Sequence, residues 1–375
     1  MMFTRRFLRN VIIKALLLFL ACNVLFAAWN PVATLGSISV YNLIFPGRLR
    51  FPFGEDPQHA YNLSLYSLEA MFASHVLAGT PAHSAQEEYR VLLLGDSSVW
   101  GTLLRPEQTL AGQLDAANLQ TCHGQQVRVY NLGYPTLSLF KDLMILREAQ
   151  RYQPDLVVWL VTLESFPVDR QFSSSIVANN PYRVKSLIQS DGLSFSPEDP
   201  ALERPTFWIR TIIGQRRWLA DMLRLQIYGV LWAATGIDQV YPEQYPAAQR
   251  DLEADDTFNN WKPSVLLEGQ LAFDVLDAGM RQVTGTRMLL VNEPILISAG
   301  KNSDIRYNFY YPRWAYDLYR KFLQERSQQM SWNYLDLWNL VPEKEFTNSA
   351  IHMTPEGTAQ LAQRIGGELL KESCR

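Results

Sequence analysis

The stretch that most limits what this chain can become is YRVLLLGDSSVWG, Tyr89 to Gly101. Its first half is a continuous apolar run rather than an alternating one, and so reads as a strand buried on both faces. The run stops at Gly95, and Gly95-Asp96-Ser97 can turn tightly before Ser98 leads into a helix. Such a turn puts the Ser97 hydroxyl at the carboxyl end of a buried strand, where open α/β sheets hold their ligands. The position suits a nucleophile.

A serine hydroxyl attacks only with a base beside it. The far end of the chain supplies one in Ile351-His352-Met353-Thr354-Pro355-Glu356-Gly357, a histidine just before a proline-started helix. Ser early and His late, each at the end of an element, resembles the SGNH/GDSL hydrolase family. There the first block is Gly-Asp-Ser after the first strand, and the last is Asp-x-x-His before the final helix. The resemblance runs from about Glu88 to Lys371 and is specific at its two ends.

That resemblance implies acyl chemistry at Ser97, with His352 taking the serine proton and returning it to the leaving alcohol. It also implies an oxyanion hole made by the Ser97 backbone N–H and by a glycine ending the second strand, here Gly133 in Asn131-Leu132-Gly133. The family's third donor is an asparagine in a Gly-x-Asn-Asp block, where this chain has Val161-Thr162-Leu163-Glu164. Thr162 or a backbone N–H is then expected to substitute. The last block departs as well, because the aspartate position holds Ser349, preceded by Asn348. Either side chain can orient the imidazole, and Glu293 at the end of the fourth strand is the carboxylate expected to stand in, with Glu164 after it.

Beyond Val91 the chain alternates apolar runs with amphipathic stretches, which implies a parallel sheet covered on both faces. Strands are expected at 91–95, 127–132, 156–162, 288–292 and 334–337, and helices at 109–119, 139–152, 265–283, 311–329 and 355–371. Right-handed crossovers favour a flavodoxin-like, doubly wound five-stranded sheet ordered 2-1-3-4-5. The third and fourth strands are too far apart for one crossover, so residues 165–263 read as an insertion in a domain spanning 87–375. Its first part, 169–205, is rich in Ser, Pro and Asn and reads as loop. Its middle, Phe207 to Trp232, mixes tryptophans and aliphatics with Arg210, Arg216, Arg217 and Arg224. That segment can cap the domain core, lie on a membrane surface or meet a membrane partner.

Ahead of the domain, Arg5, Arg6, Arg9 and Lys14 precede or enter an apolar run from Val11 to Trp29, long enough to cross a bilayer. The basic flank predicts an N-terminus in the cytoplasm and the catalytic domain outside, tethered to the cell membrane by residues 1–30. A cleaved signal peptide competes with this, but Leu25 to Ala28 offers no small-x-small site. Residues 31–86 then form a linker and a helix over 63–77, in which His75 reads as a packing residue. Outside the membrane remain Cys122, after the first domain helix, and Cys374, after the last. In this sheet order those helices lie side by side on one face, so a disulfide between them is expected in an oxidising compartment.

A net charge of -3 leaves no broad cationic surface, which argues against nucleic acid as a partner. His59, His75, His83, His123 and His352 show no paired helical spacing and the cysteines are scattered, so no metal or other cofactor is assigned. An anchor, an SGNH-like domain and a degenerate last block together resemble the O-acyl transfer proteins of cell envelopes. That likeness implies an acyl-ester or polysaccharide substrate and a multi-spanning membrane O-acyltransferase as partner. The competing expectation is a non-catalytic assembly or binding subunit that keeps the fold.

Overall fold

The computed structural model describes residues 5–40, 47–53, 67–80, 88–202, 206–235, 239–263, 268–281 and 285–374. Five parallel strands form one sheet: β1 (Glu88–Leu94), β2 (Gln126–Asn131), β3 (Leu156–Val161), β4 (Arg287–Asn292) and β5 (Tyr334–Asp336), in the order β2-β1-β3-β4-β5. The order is the one expected. The helices used below are α1 (Arg5–Trp29), α2 (Leu68–Ser74), α3 (Ser97–Trp100), α4 (Leu110–Ala116), α5 (Leu139–Ala149), α6 (Pro181–Asp191), α7 (Arg216–Thr235), α8 (Phe273–Arg281), α9 (Arg313–Gln329) and α10 (Pro355–Ser373).

Val91–Leu94 of β1 and all of β3 are apolar at every position because each face of the sheet is covered there. Leu92, Leu94, Val157, Trp159 and Val161 point into one core with α2, α5, α8 and α9. Val91, Leu93, Val158 and Leu160 point into the other, filled by α4 and α10. Those two helices pack together, and a disulfide joins Cys122 after α4 to Cys374 at the end of α10, with Cα atoms 5.5 Å apart.

Three segments differ from the sequence expectation. The stretch 169–205 is not all loop, because it contains α6, which starts on Pro181, buries Val184, Leu187 and Ile188, and ends on Gly192 at a φ of 66°. The helix expected at 265–283 is described only as α8, since 264–267 and 282–284 lie outside the described residues. The helix expected at 63–77 is described only as α2, followed by a 3-10 turn, because 54–66 lie outside the described residues, as do His59 and His83.

His75, just past α2, is fully buried. Its Nδ1 accepts from the Leu77 N–H at 3.1 Å, so the proton sits on Nε2 and is donated to the Asn131 carbonyl at 3.0 Å. Burial pushes its pKa down to about 4, and the neutral ring ties α2 to the end of β2. A second strap is Arg50, which donates to the Gly101 carbonyl at 2.7 Å and stacks 4.0 Å over Trp100 at the carboxyl end of α3.

Candidate active site

Ser97 opens α3 directly after β1. Gly95 turns the chain at a φ of 158°, and Asp96 caps α3 by accepting the Ser98 N–H at 2.8 Å. The Gly95 Cβ position falls 2.6 Å from Val99, so a larger residue here would push α3 away from the strand.

The other half of the site lies on the loop before α10. Phe346 and Met353 form an antiparallel bridge, and the Thr347 N–H donates to the His352 carbonyl at 2.8 Å, so the loop is pinched shut. Thr354 caps α10 by accepting from the Gly357 N–H at 3.1 Å. The imidazole is thereby brought to Ser97, with 2.8 Å between His352 Nε2 and Ser97 Oγ. On the other side of the ring, 2.8 Å separates Nδ1 from Asn348 Oδ1. An amide oxygen only accepts, so Nδ1 carries the proton and the Nε2 lone pair faces the serine hydroxyl. This is the tautomer a general base requires. Burial of the ring lowers its pKa to about 4, so it is neutral and able to accept a proton over the physiological range.

Glu293 requires correction, since it does not back the histidine. Ser98 donates its hydroxyl proton to Glu293 Oε2. Oε1 has no donor among the described residues, yet the carboxyl is in hydrogen-bond contact with that of Asp96. Two buried carboxyls in contact cannot both ionise cheaply, so a proton on Glu293 supplies the missing donor. Burial, then the Asp96 charge, raises the Glu293 pKa well above the ordinary carboxylate range. Burial raises that of Asp96 too, against the pull of Lys141. A neutral Glu293 could not balance an imidazolium even if it reached one. The bond to the ring comes from Asn348 rather than from Ser349, which is buried. Glu164 forms an ion pair with Arg170.

Both expected oxyanion donors beyond Ser97 are also engaged elsewhere. The Gly133 N–H donates to Asn131 Oδ1 at 3.0 Å, and the same amide donates from Nδ2 to the Val99 carbonyl at 2.8 Å. Gly133 is a close-packing glycine, because a Cβ there would sit 2.4 Å from the Trp100 nitrogen. Thr162 is fully buried, with its hydroxyl 3.0 Å from that of Tyr311. The Ser97 N–H, at the first position of α3, has no acceptor within the helix and is the donor left for an oxyanion.

Sequence reasoning missed the support beneath Ser97. Lys141, with no exposed surface, donates to the Gly95 carbonyl at 2.7 Å and to that of Tyr134 at 3.1 Å. It pairs with Asp142 at 2.6 Å, which in turn accepts from the Trp159 indole at 3.2 Å. Burial raises the Asp142 pKa to about 6. A lysine and aspartate in the first turn of an apolar helix were the available signal, since charges there are buried only when they hold something. Among the described residues no group of three His, Cys, Asp or Glu side chains converges as a metal site does.

No protein-family model matches this chain, and no curated protein matches it. Similar solved structures include a carbohydrate acetylesterase from Sinorhizobium meliloti, at 12% identity over 76% of this chain and 99% of that one, with a TM-score of 0.36. An aryl esterase from M. smegmatis is 13% identical over 76% and 99%, with a TM-score of 0.34. A lipase/acylhydrolase from Enterococcus faecalis is 15% identical over 76% and 96%, with a TM-score of 0.35. Likeness at this level carries no argument about activity, and the reading of the site rests on its own geometry.

Proposed function

We propose that the chain is a membrane-tethered serine esterase or O-acyltransferase that works through an acyl-Ser97 intermediate. The observation that carries this reading is the Ser97–His352–Asn348 relay, two contacts of 2.8 Å with the proton on the far side of the ring. In the first half-reaction Ser97 Oγ attacks an ester carbonyl while His352 Nε2 takes its proton. The Ser97 N–H steadies the oxyanion, the carbon–oxygen bond to the leaving alcohol breaks, and His352 returns the proton to that alcohol. In the second, His352 deprotonates an acceptor hydroxyl, from water or a saccharide, which attacks the acyl carbonyl; the bond to Ser97 Oγ breaks and His352 returns the proton to Oγ.

A neutral asparagine behind the ring and one backbone donor at the oxyanion support slow turnover, since one lost oxyanion donor elsewhere costs about 3 to 4 kcal/mol of transition-state stabilisation. An acyl-enzyme that water clears slowly is suited to transfer. With α1 apolar and long enough to cross a bilayer, the domain would act outside the cell membrane on an acyl-ester or polysaccharide, beside a multi-spanning O-acyltransferase. The engagement of Gly133 and Thr162 favours the second reading, a non-catalytic assembly or binding subunit of the same apparatus.

One experiment separates the two. The purified full chain is mixed with p-nitrophenyl acetate and followed by intact mass and by release of nitrophenol. A single acetyl adduct, absent from Ser97→Ala and cleared faster when an oligosaccharide acceptor is added, is expected for the acyltransferase. Clearance by water alone indicates the esterase. An absent adduct would remove both in favour of the subunit.

A further inference from the structure

Helix α7 is apolar on two opposite sides, of which the fold uses one. Trp218 and Leu225 are buried, the latter against Ala70 of α2. Across the helix Leu223, Ile227 and Leu231, spaced four residues apart, are exposed by 61%, 65% and 56%. The turn leading into α7 adds Trp208 at 71%, Ile209 at 49% and Ile213 at 52%. Scattered apolar residues at a surface need no explanation, but a continuous stripe does.

The contact of the preceding turn with α1 bears on what covers it. Asn23 and Ala27 are the buried residues of α1 and lie one above the other on one face. Asn23 Oδ1 accepts the Ile213 N–H at 3.2 Å. On α7 itself, Gln226 clasps the chain just beyond α1, accepting from the Val40 N–H at 2.7 Å and donating to the Ile38 carbonyl at 3.1 Å. Asn23 is six residues before the end of α1, about 9 Å along the axis at 1.5 Å per residue. If α1 crosses a hydrocarbon core of about 30 Å, Asn23 lies inside its outer edge, and the turn that touches it lies at that edge too.

The backbone of this turn is built for such a place. Non-helical chain at the edge of hydrocarbon must satisfy its own polar groups. The Trp208 carbonyl accepts from the Thr211 hydroxyl at 2.7 Å, and the Ile209 carbonyl from the Gln215 amide at 3.0 Å. The Ile213 carbonyl accepts from the Arg216 guanidinium at 2.8 Å, and the Gly214 N–H donates to the Thr211 hydroxyl at 3.1 Å.

We propose that the exposed face of α7, with the turn before it, lies in the outer interface of the bilayer that α1 crosses, and that lipid is its occupant. The inference rests on the reading of α1 as a membrane span. A helix lying flat beside a spanning one would fix the domain at one height and tilt above the membrane.

The test uses the full chain in phosphatidylcholine–phosphatidylglycerol vesicles, with nitroxide labels on single cysteines in a Cys22→Ser background that retains the disulfide. Labels go at Leu223→Cys, Ile227→Cys and Leu231→Cys, with Leu18→Cys in α1 and Gln328→Cys on the exposed face of α9 as references. Collision with oxygen severalfold above collision with a water-soluble nickel chelate is expected at 223, 227 and 231, as at 18 and unlike 328. Chelate access at 227 equal to that at 328 overturns the proposal and leaves the span intact. Shielding from both reagents at 227 overturns it in favour of a protein-covered face. Chelate access at 18 removes the span reading and the proposal with it.

Discussion

The two ends of the Ser97–His352 contact are held by different physics. Ser97 stands on buried ground: Lys141 under the Gly95 carbonyl, Asp142 and Trp159 behind it, and the buried carboxyls of Asp96 and Glu293 on either side of Ser98. His352 stands on a half-buried loop fastened by one bridge, backbone bonds and the neutral amide of Asn348. Burial makes each polar bond at the first end costly to lose and couples the placement of Ser97 to folding. The second end is adjustable, because its electrostatics are weak. Changes beneath Ser97 should therefore show in stability, and changes behind His352 in rate.

The largest effect expected is at the base. His352→Gln lowers the rate of Ser97 acylation about 10³-fold, as loss of a general base does, while the melting temperature stays within a few degrees; an unchanged rate would remove the histidine from the chemistry.

At the nucleophile end, Glu293→Ala strands the Ser98 hydroxyl and the Asp96 carboxyl in the core. It should cost about 3 kcal/mol in denaturant unfolding, and Glu293→Gln, which keeps an acceptor for Ser98 and a donor for Asp96, should recover most of it. Equal losses in both variants would mean that Glu293 is ionised.

Acid distinguishes the ends in another way. His75 has a pKa of about 4 in the folded chain against 6.5 unfolded, so the unfolded chain binds its proton first. The stability from keeping this ring neutral is whole above pH 6.5 and is lost as the pH falls towards 4, by about 3 kcal/mol over the window. His352 titrates in the same window and adds to the loss by less, being less deeply buried than His75. A His75→Gln variant with an unchanged acid transition in urea melts would contradict this.

The smallest effect is at Asn348. Asn348→Asp places a charge behind the imidazolium and should raise the acylation rate about tenfold. It should also move the acid limb of the rate upwards from pH 4, whereas Asn348→Ala should lower the rate by a similar factor. A slower Asp variant would mean that the amide serves some purpose other than orienting the ring.

Much of the fold was legible because buried parallel strands read as unbroken apolar runs, and Leu92 to Leu94 or Val157 to Val161 admit few other readings. Cys122 and Cys374 could be placed together because strand order fixes which helices are neighbours. Helix α6 was missed although Pro181 at its start and Gly192 past its end signalled it, because Ser and Asn around it masked the Val184–Leu187–Ile188 stripe. What sequence could not convey was the destination of polar side chains at sheet ends. Ser98 and Glu293 meet across 195 residues, and whether a carboxylate faces the ring or the core depends on which one or two ångströms of loop bring it there. Chemical analogy favoured a charge behind His352, but Glu293 is bonded to Ser98 instead, where burial raises its pKa.

The central claim is that Ser97 and His352 exchange a proton, and labelling by a fluorophosphonate measured against pH tests it most directly. The account predicts one adduct, on Ser97, absent from Ser97→Ala and nearly absent from His352→Gln, forming at a steady rate from pH 8 down to about 5 and losing half of it near pH 4. An adduct that persists in Ser97→Ala, or a rate indifferent to His352, would contradict it.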